Sequence, residues 1–220
     1  MEINADLGMR AVSDTGTLPW VASPLKGVHR RMLDRDGGEV ARATSLVRYA
    51  PGSSFSSHRH DLGEEFLVLD GVFSDETGDF CEGMYVRNPP GSGHTPSSAK
   101  GCTILVKLRQ MDPADVDVVR VNTRLESLWR EGRPRERILP LYSGYGEYVC
   151  MLRWQAGGVF PDQRFEGGAE YFVVGGRFSD GSGSYDAGAW LRLPAGSTQS
   201  IRVHEDALVY RKTGHLTPSA

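Results

Sequence analysis

The chain has 220 residues, of which 39% are hydrophobic and 24% charged, enough for one large domain or two small ones with a buried core, and it does not have the composition of a disordered tail. A net charge of −3 leaves no basic footprint for nucleic-acid phosphates, since the arginines from Arg130 to Arg137 are mixed with glutamates. No run of about 18 apolar residues marks a membrane span, and MEINADLGMR lacks the pattern of a signal peptide, so the expected compartment is the cytoplasm.

In chain order, the strand-like segments are ATSLVRY, EFLVLDGVF, GMYVRNP and CTILVKL, then EYVCMLRW, EYFVVGGRF, GAWLRLP and DALVYRK. They are short, rich in β-branched and aromatic residues and separated by glycine-rich turns, which predicts an all-β sandwich or barrel for each group of four. Between the groups, DPADVDV from Asp112 and TRLESLW from Thr123 are the best helix candidates. The three cysteines, Cys81, Cys102 and Cys150, form no CxxC pair and are expected to be free thiols, mainly small buried hydrophobes.

The two groups are copies. Laying Gly52 on Gly157 aligns about forty residues without a gap and matches Phe55/Phe160, Gly71/Gly176, Phe73/Phe178, Asp75/Asp180, Gly83/Gly188, Pro89/Pro194 and Gly91/Gly196. Many identities are glycines and prolines, so what the repeat keeps is backbone geometry. It predicts two tandem domains, residues 1–112 and 113–220, each about 100 residues long.

The chemistry concentrates in HRHDLGEE, residues 58 to 65. Histidines at i and i+2 of a strand share a face, so His58 and His60 can hold one ion, and one of the two glutamates can close on it after the turn at Asp61 to Gly63. His94, behind the turn formed by Pro89, Pro90, Gly91 and Gly93, is the candidate for the remaining ligand. His29, His204 and His215 have no such company and are expected to be surface or structural histidines.

These residues resemble the two motifs of the cupin superfamily. The first, a glycine, five residues, HxH, three or four residues, a glutamate, six residues and a glycine, reads here Gly52, His58, His60, Glu64, Gly71; the second reads Gly83, Pro89, Gly91, His94, with Ser98 where an asparagine is usual. TSLVRYAPGSSF, GEEFLVLDGVFSDE, RNPPGSGHTP and GCTILVKL further resemble the cupin domain of ChrR-like anti-sigma factors. The resemblance implies two tandem jelly-roll (double-stranded β-helix) barrels and one divalent metal ion on His58, His60, Glu64 and His94. Zinc and iron are the foremost ions; manganese, nickel and copper also suit such ligands. Glu65 is expected to point away, because its counterpart Glu170 persists where every ligand is lost: the second copy has Gln163, Phe165, Ala169 and Gln199 in place of His58, His60, Glu64 and His94. That copy should bind no metal in this way. Packing, pairing of protomers or an organic-ligand pocket are the roles open to it, packing foremost.

Three functions compete. The ChrR resemblance implies a sensor or regulatory module in oxidative-stress signalling with a protein partner, although the chain has no H-x3-C-x2-C cluster and its first thirty residues do not suit a helical sigma-binding domain. The first alternative is a non-haem metal dioxygenase cleaving a small diketone or phenolic ketone, with Leu46, Tyr49, Phe55, Phe66 and Tyr85 lining the pocket; the second is a non-catalytic binder of a small molecule. Arg48 is a candidate anchor for an anionic substrate, but Arg153 repeats it in the copy without ligands, which favours a structural arginine.

Overall fold

The computed structural model describes residues 1–216, and among these there is no α-helix. The chain divides into two compact units, Met1–Ala5 with Leu18–Arg124, and Asp6–Thr17 with the residues from Leu125 onward. The division falls after Arg124, not at 112, because the strand Val119–Asn122 closes the edge of the first unit by pairing with Met84–Asn88. The matching edge strand of the second unit is Ala11–Asp14, which pairs with Ala189–Leu193. Neither edge strand belongs to the aligned repeat.

In the first unit, the main sheet runs in the order Glu2–Ile3, Val28–Gly37, Ala41–Tyr49, Cys102–Leu108, Glu64–Asp75, Met84–Asn88, Val119–Asn122. Short strands Ser53–Ser54, Ser97–Ser98 and Gly78–Cys81 pair off this path, and His58–Arg59 with Gly93–His94 makes a separate ribbon. The second unit follows the same plan: Arg130–Glu131, Glu136–Gly144, Glu147–Trp154, Ser197–Thr213, Ala169–Asp180, Ala189–Leu193, Ala11–Asp14. Its central strands Ala169–Asp180, Gly183–Asp186 and Ala189–Leu193 fall at the repeat offset from Glu64–Asp75, Gly78–Cys81 and Met84–Asn88. Each unit is a jelly-roll barrel, as expected from alternating strands that need a closed interior to bury their apolar faces.

The interiors match as well. Phe66, Phe73 and Phe80 pack with Val47, Val68, Val86, Ile104 and Val106 in the first unit. Tyr171, Phe178 and Tyr185 occupy the three aromatic positions in the second. Gly71 shows why a glycine is repeated: its φ is +76°, and a Cβ there would lie 2.1 Å from the Gly101 carbonyl oxygen. Gly176 is in the same position, 2.0 Å from the Asp206 oxygen.

Both helix candidates differ from expectation. Asp112–Val118 has no regular structure, and in TRLESLW only Glu126–Leu128 winds, as a single 3-10 turn. Leu125 and Leu128 are exposed there, so no apolar face is available for a helix to bury. The cysteines are free; Cys102 and Cys150 are buried, whereas Cys81 is exposed. No helix among the described residues is long and apolar enough to cross a membrane.

Candidate metal centre

The ribbon His58–Arg59 with Gly93–His94 sets His58 directly opposite His94. Gly93 permits this approach, since a Cβ there would stand 2.7 Å from the His58 carbonyl oxygen. The assigned strand ends at Arg59, one residue before His60, yet the His60 amide still donates to the Ser92 carbonyl at 2.8 Å and the Gly91 amide donates to the His60 carbonyl at 2.8 Å. His60 is therefore held beside the ribbon. Gly63, with φ +74°, then turns the chain so that Glu64 opens the strand Glu64–Asp75.

The three imidazoles converge. Ring centroids of His58, His60 and His94 are 4.8 to 5.0 Å apart, each pair edge-on, and one nitrogen from each lies within 4.8 Å of the others. This group could hold a metal ion. Glu64 Oε2 stands 3.4 Å from His60 Nε2 and 3.5 Å from His94 Nε2, and both nitrogens are buried without a hydrogen-bond partner. Two donors about 2.1 Å from one ion are about 3.0 to 3.4 Å apart at angles between square and tetrahedral. The Glu64 separations are at and just beyond the upper end of that range.

The electrostatics agree. Burial, then the neighbouring His58, holds His60 down to about 4, and burial likewise lowers His94, so both rings keep a free lone pair near neutral pH. Burial pushes the Glu64 carboxyl up against the opposing pull of His94, His58 and Asn88, which leaves a carboxylate in need of positive charge. The second ring nitrogens point elsewhere: His94 Nδ1 lies 3.4 Å from Asp75 Oδ2 and His58 Nδ1 lies 3.3 Å from the Ser56 carbonyl oxygen. Such contacts fix tautomer and ring orientation.

A family model of the ChrR cupin-like domain matches this chain twice, over residues 9–112 and 120–217. The chain belongs to the ChrR cupin-like family. No curated protein sequence matches it closely. Its fold is similar to that of a candidate dioxygenase from Nostoc punctiforme, at 16% identity and TM-score 0.77, over 97% of this chain and 85% of that one. The YlbA protein of Escherichia coli aligns at 16% identity and TM-score 0.70, over 100% of this chain and 96% of that one. Oxalate decarboxylase of Bacillus subtilis aligns at 12% identity and TM-score 0.62, over 93% and 76%. At these identities the likeness is one of fold.

Within this cupin the adjacent glutamates separate. Glu64 faces the histidines, while Glu65 accepts from the Tyr85 hydroxyl at 2.5 Å and from Arg87 at 3.1 Å on the opposite face of the sheet, where Arg87 also reaches Asp115 at 2.6 Å. Glu170 has the corresponding place in the second barrel, accepting from Trp190 Nε1 at 2.7 Å and lying 3.2 Å from His215. His215 is thus a hydrogen-bonded structural histidine, and His204 contacts Ser179 at 2.7 Å.

Three supporting residues were not singled out from sequence. Asn88 donates to Glu64 at 3.4 Å and accepts in turn from Arg120 at 2.6 Å, while Asp75 steadies His94. Arg120 sits on the edge strand outside the repeat, and the Asp75/Asp180 identity was visible but resembles a turn residue. Of the expected pocket residues, Tyr49 and Phe55 line a cavity of about 290 Å3 that reaches His58, His60 and Glu64, together with Val28, Val47, Val106 and Leu108. Phe66 lies in the core behind it. Leu46 and Tyr85 are not in that wall: Tyr85 serves Glu65 across the sheet, and Leu46 has the other strand parity from Val47 and Tyr49. Arg48 stacks on Trp20, 4.0 Å from its ring, and Arg153 stacks on Trp129 at the same distance.

The second barrel keeps the frame of the site without its donors. Gln163 is opposite Gln199 in register, as His58 is opposite His94. Gln199 donates to Asp180 at 2.8 Å, replacing the His94 contact with Asp75, while Phe165 and Ala169 are buried.

Proposed function

We propose that the first barrel binds one divalent metal ion through His58, His60, Glu64 and His94 and acts as a non-haem metal-dependent dioxygenase on a small diketone or phenolic ketone. The observation that carries this reading is the cavity, apolar over part of its wall, that opens onto the ligand cluster. At about 290 Å3 it is at the small end of ligand pockets; Val28, Val47, Tyr49, Phe55, Val106 and Leu108 make the apolar part of its wall, and Arg30, Glu39, Arg59, Asp61 and Arg109 line it as well, which suits a small substrate with an apolar body and polar oxygens. Arg48, stacked on Trp20, does not line it; of the arginines that do, Arg30 faces Glu39 and Arg109 faces Asp61.

A redox-active ion on this ligand set, iron foremost, would supply open positions for dioxygen and for a chelating substrate. The chain's own part is positioning. Asp75 and the Ser56 carbonyl turn His94 and His58 so that their Nε2 atoms face inward, and Asn88, held by Arg120, orients the Glu64 carboxylate. Cleavage breaks one carbon–carbon bond of the substrate and leaves one oxygen atom of dioxygen in each fragment, so no further reductant is needed.

Family membership supports a second reading, in which metal occupancy is a signal passed to a protein partner and zinc is the resident ion. Oxygen uptake separates the two. Protein purified without added metal should contain one divalent ion per chain, and the iron-loaded form should consume oxygen with a member of a diketone panel. Zinc as the sole ion, and no uptake after iron loading, would refute the dioxygenase reading. His94→Ala should lose most of the metal with the barrel intact by circular dichroism; full occupancy in that variant would exclude the ligand set.

A further inference from the structure

Each barrel is closed by a strand that stands at the head of the other copy. Ala11–Asp14 precedes the strands of the first copy and pairs with Ala189–Leu193 of the second; Val119–Asn122 precedes those of the second copy and pairs with Met84–Asn88 of the first. The registers agree residue for residue: Ala11 opposite Arg192 repeats Val119 opposite Arg87, and Asp14 opposite Ala189 repeats Asn122 opposite Met84. The ends of these two arms match too. Thr15 donates through its amide and its hydroxyl to the Gly188 carbonyl, at 3.1 and 2.7 Å, and Thr123 donates in the same way to Gly83, at 2.9 and 2.7 Å. Upstream, Arg87 donates to Asp115 at 2.6 Å, and its counterpart Arg192 to the Asp6 carbonyl at 2.8 Å. The crossings fall between Thr17 and Leu18 and between Arg124 and Leu125. This is the connectivity of two subunits that swap a terminal strand, joined here in one chain.

Each arm also reaches the ligand positions of the barrel it closes. In the first barrel Arg120 donates to Asn88 at 2.6 Å, and Asn88 donates to Glu64 at 3.4 Å. In the second, Arg10 donates to Asp180 at 2.9 Å, and Gln199, in the place of His94, donates to the same carboxylate oxygen at 2.8 Å. Different residues thus make a link of the same kind, but only the first link ends on a metal ligand. Asn88 and Arg120 have Leu193 and Val12 as counterparts, so this pair exists only where the ligands do. Arg120 is held on its other side by the Arg87 carbonyl at 2.9 Å, and its guanidinium lies over the Phe80 ring at 5.3 Å.

We propose that the second copy serves the metal site by lending it this arm: Arg120 is a positioning residue for Glu64, and metal binding is coupled to the docking of Val119–Asn122. The inference rests on the ligand set His58, His60, Glu64 and His94 and not on the reaction the site carries out. With the arm docked, Arg120 fixes Asn88, and Asn88 turns the Glu64 carboxylate towards the histidines; with the arm away, that carboxylate has to be ordered when the ion arrives. Supports of this kind are worth about ten- to a hundredfold in metal affinity. By linkage the factor is the same in both directions, so the ion stabilises the docked arm as much as the arm stabilises the ion.

The test uses the full chain and Co2+ as the probe, with affinity measured against a competing chelator and ligand geometry by visible absorption. Arg120→Met should weaken binding about tenfold or more and shift the cobalt bands, while the far-ultraviolet circular dichroism of the metal-free protein is unchanged. The arms are then loosened at matched places. The Thr123 amide bond to Gly83 puts Val121 in hydrogen-bonded register with Tyr85, and the Thr15 bond to Gly188 does so for Ser13 and Trp190, so proline at either position removes a ladder bond. Val121→Pro should weaken cobalt binding about tenfold or more, and Ser13→Pro should leave it unchanged. In the unsubstituted chain, where no question of folding arises, cobalt should slow amide exchange over Val119–Asn122 about tenfold and leave Ala11–Asp14 unaffected. Equal cobalt affinity in Arg120→Met and the unsubstituted chain, equal effects of the two prolines, or no change in exchange over Val119–Asn122 would each overturn the coupling with the ligand set intact. An unsubstituted chain that binds no cobalt would refute the ligand set, and the coupling with it.

Discussion

Glu64 and Glu65 are adjacent, equally acidic and both buried, so exchanging each for glutamine tests the assignment of the site most directly. Glu65→Gln removes the charge that Arg87 meets at 3.1 Å and weakens the acceptor for the Tyr85 hydroxyl at 2.5 Å. Removing one partner of a buried ion pair costs about 3 to 5 kcal/mol. Asp115 still holds the guanidinium at 2.6 and 3.1 Å, which reduces the expected loss to about 2 to 3 kcal/mol. With a urea dependence of about 2 to 3 kcal/mol per molar for a unit of this size, the first barrel's midpoint should fall by about 1 M. Metal content by mass spectrometry should not change. Glu64→Gln should do the reverse: metal falls, while the metal-free midpoint stays or rises, because burial already disfavours the charged carboxyl. A Glu65→Gln protein that loses its metal but keeps its urea midpoint would refute the division of roles.

Acid should destabilise the metal-free protein through His60. Its folded value of about 4 lies below the ordinary 6.5, so the unfolded chain takes up the proton first. The stabilisation is complete above about pH 6.5 and is lost as pH falls towards 4, by about 3 kcal/mol in all. Urea midpoints after chelator treatment should show this slope, and His60→Phe, the exchange found at Phe165, should flatten it; an unchanged slope would dismiss His60 as its source. Gly71→Ala should cost more than about 3 kcal/mol, since it adds a contact of 2.1 Å to a left-handed φ. Gly52→Ala, also at positive φ but with nothing within 4 Å, should cost about 1 kcal/mol, and equal losses at the two positions would show that φ alone decides.

The barrels were legible in sequence because their strands are β-branched runs cut by glycines whose backbone no other residue adopts easily, as at Gly71 and Gly176. The two edge strands were not. Val119–Asn122 and Ala11–Asp14 are four residues each, too short for a periodicity to register, and they are strands only because a partner edge is open to them. For the same reason Arg120 and its link through Asn88 to Glu64 escaped notice: the residue that steadies the acid comes from a segment outside both motifs.

Arg211 is a different case. The offset that set Gln163, Phe165, Ala169 and Gln199 against the four ligands also sets Arg211 against Val106, so the exchange was present in the sequence from the outset. It carried no meaning until the structure showed that position 106 faces the cavity and that its strand neighbours are Ser45 and Phe66. A comparison restricted to ligand positions describes the second barrel as a site with its charge removed. Including the wall changes that description: where the first barrel has Val106 between Ser45 and Phe66, the second has Arg211 between Cys150 and Tyr171, so the two interiors differ in their walls as well as at the four ligand positions.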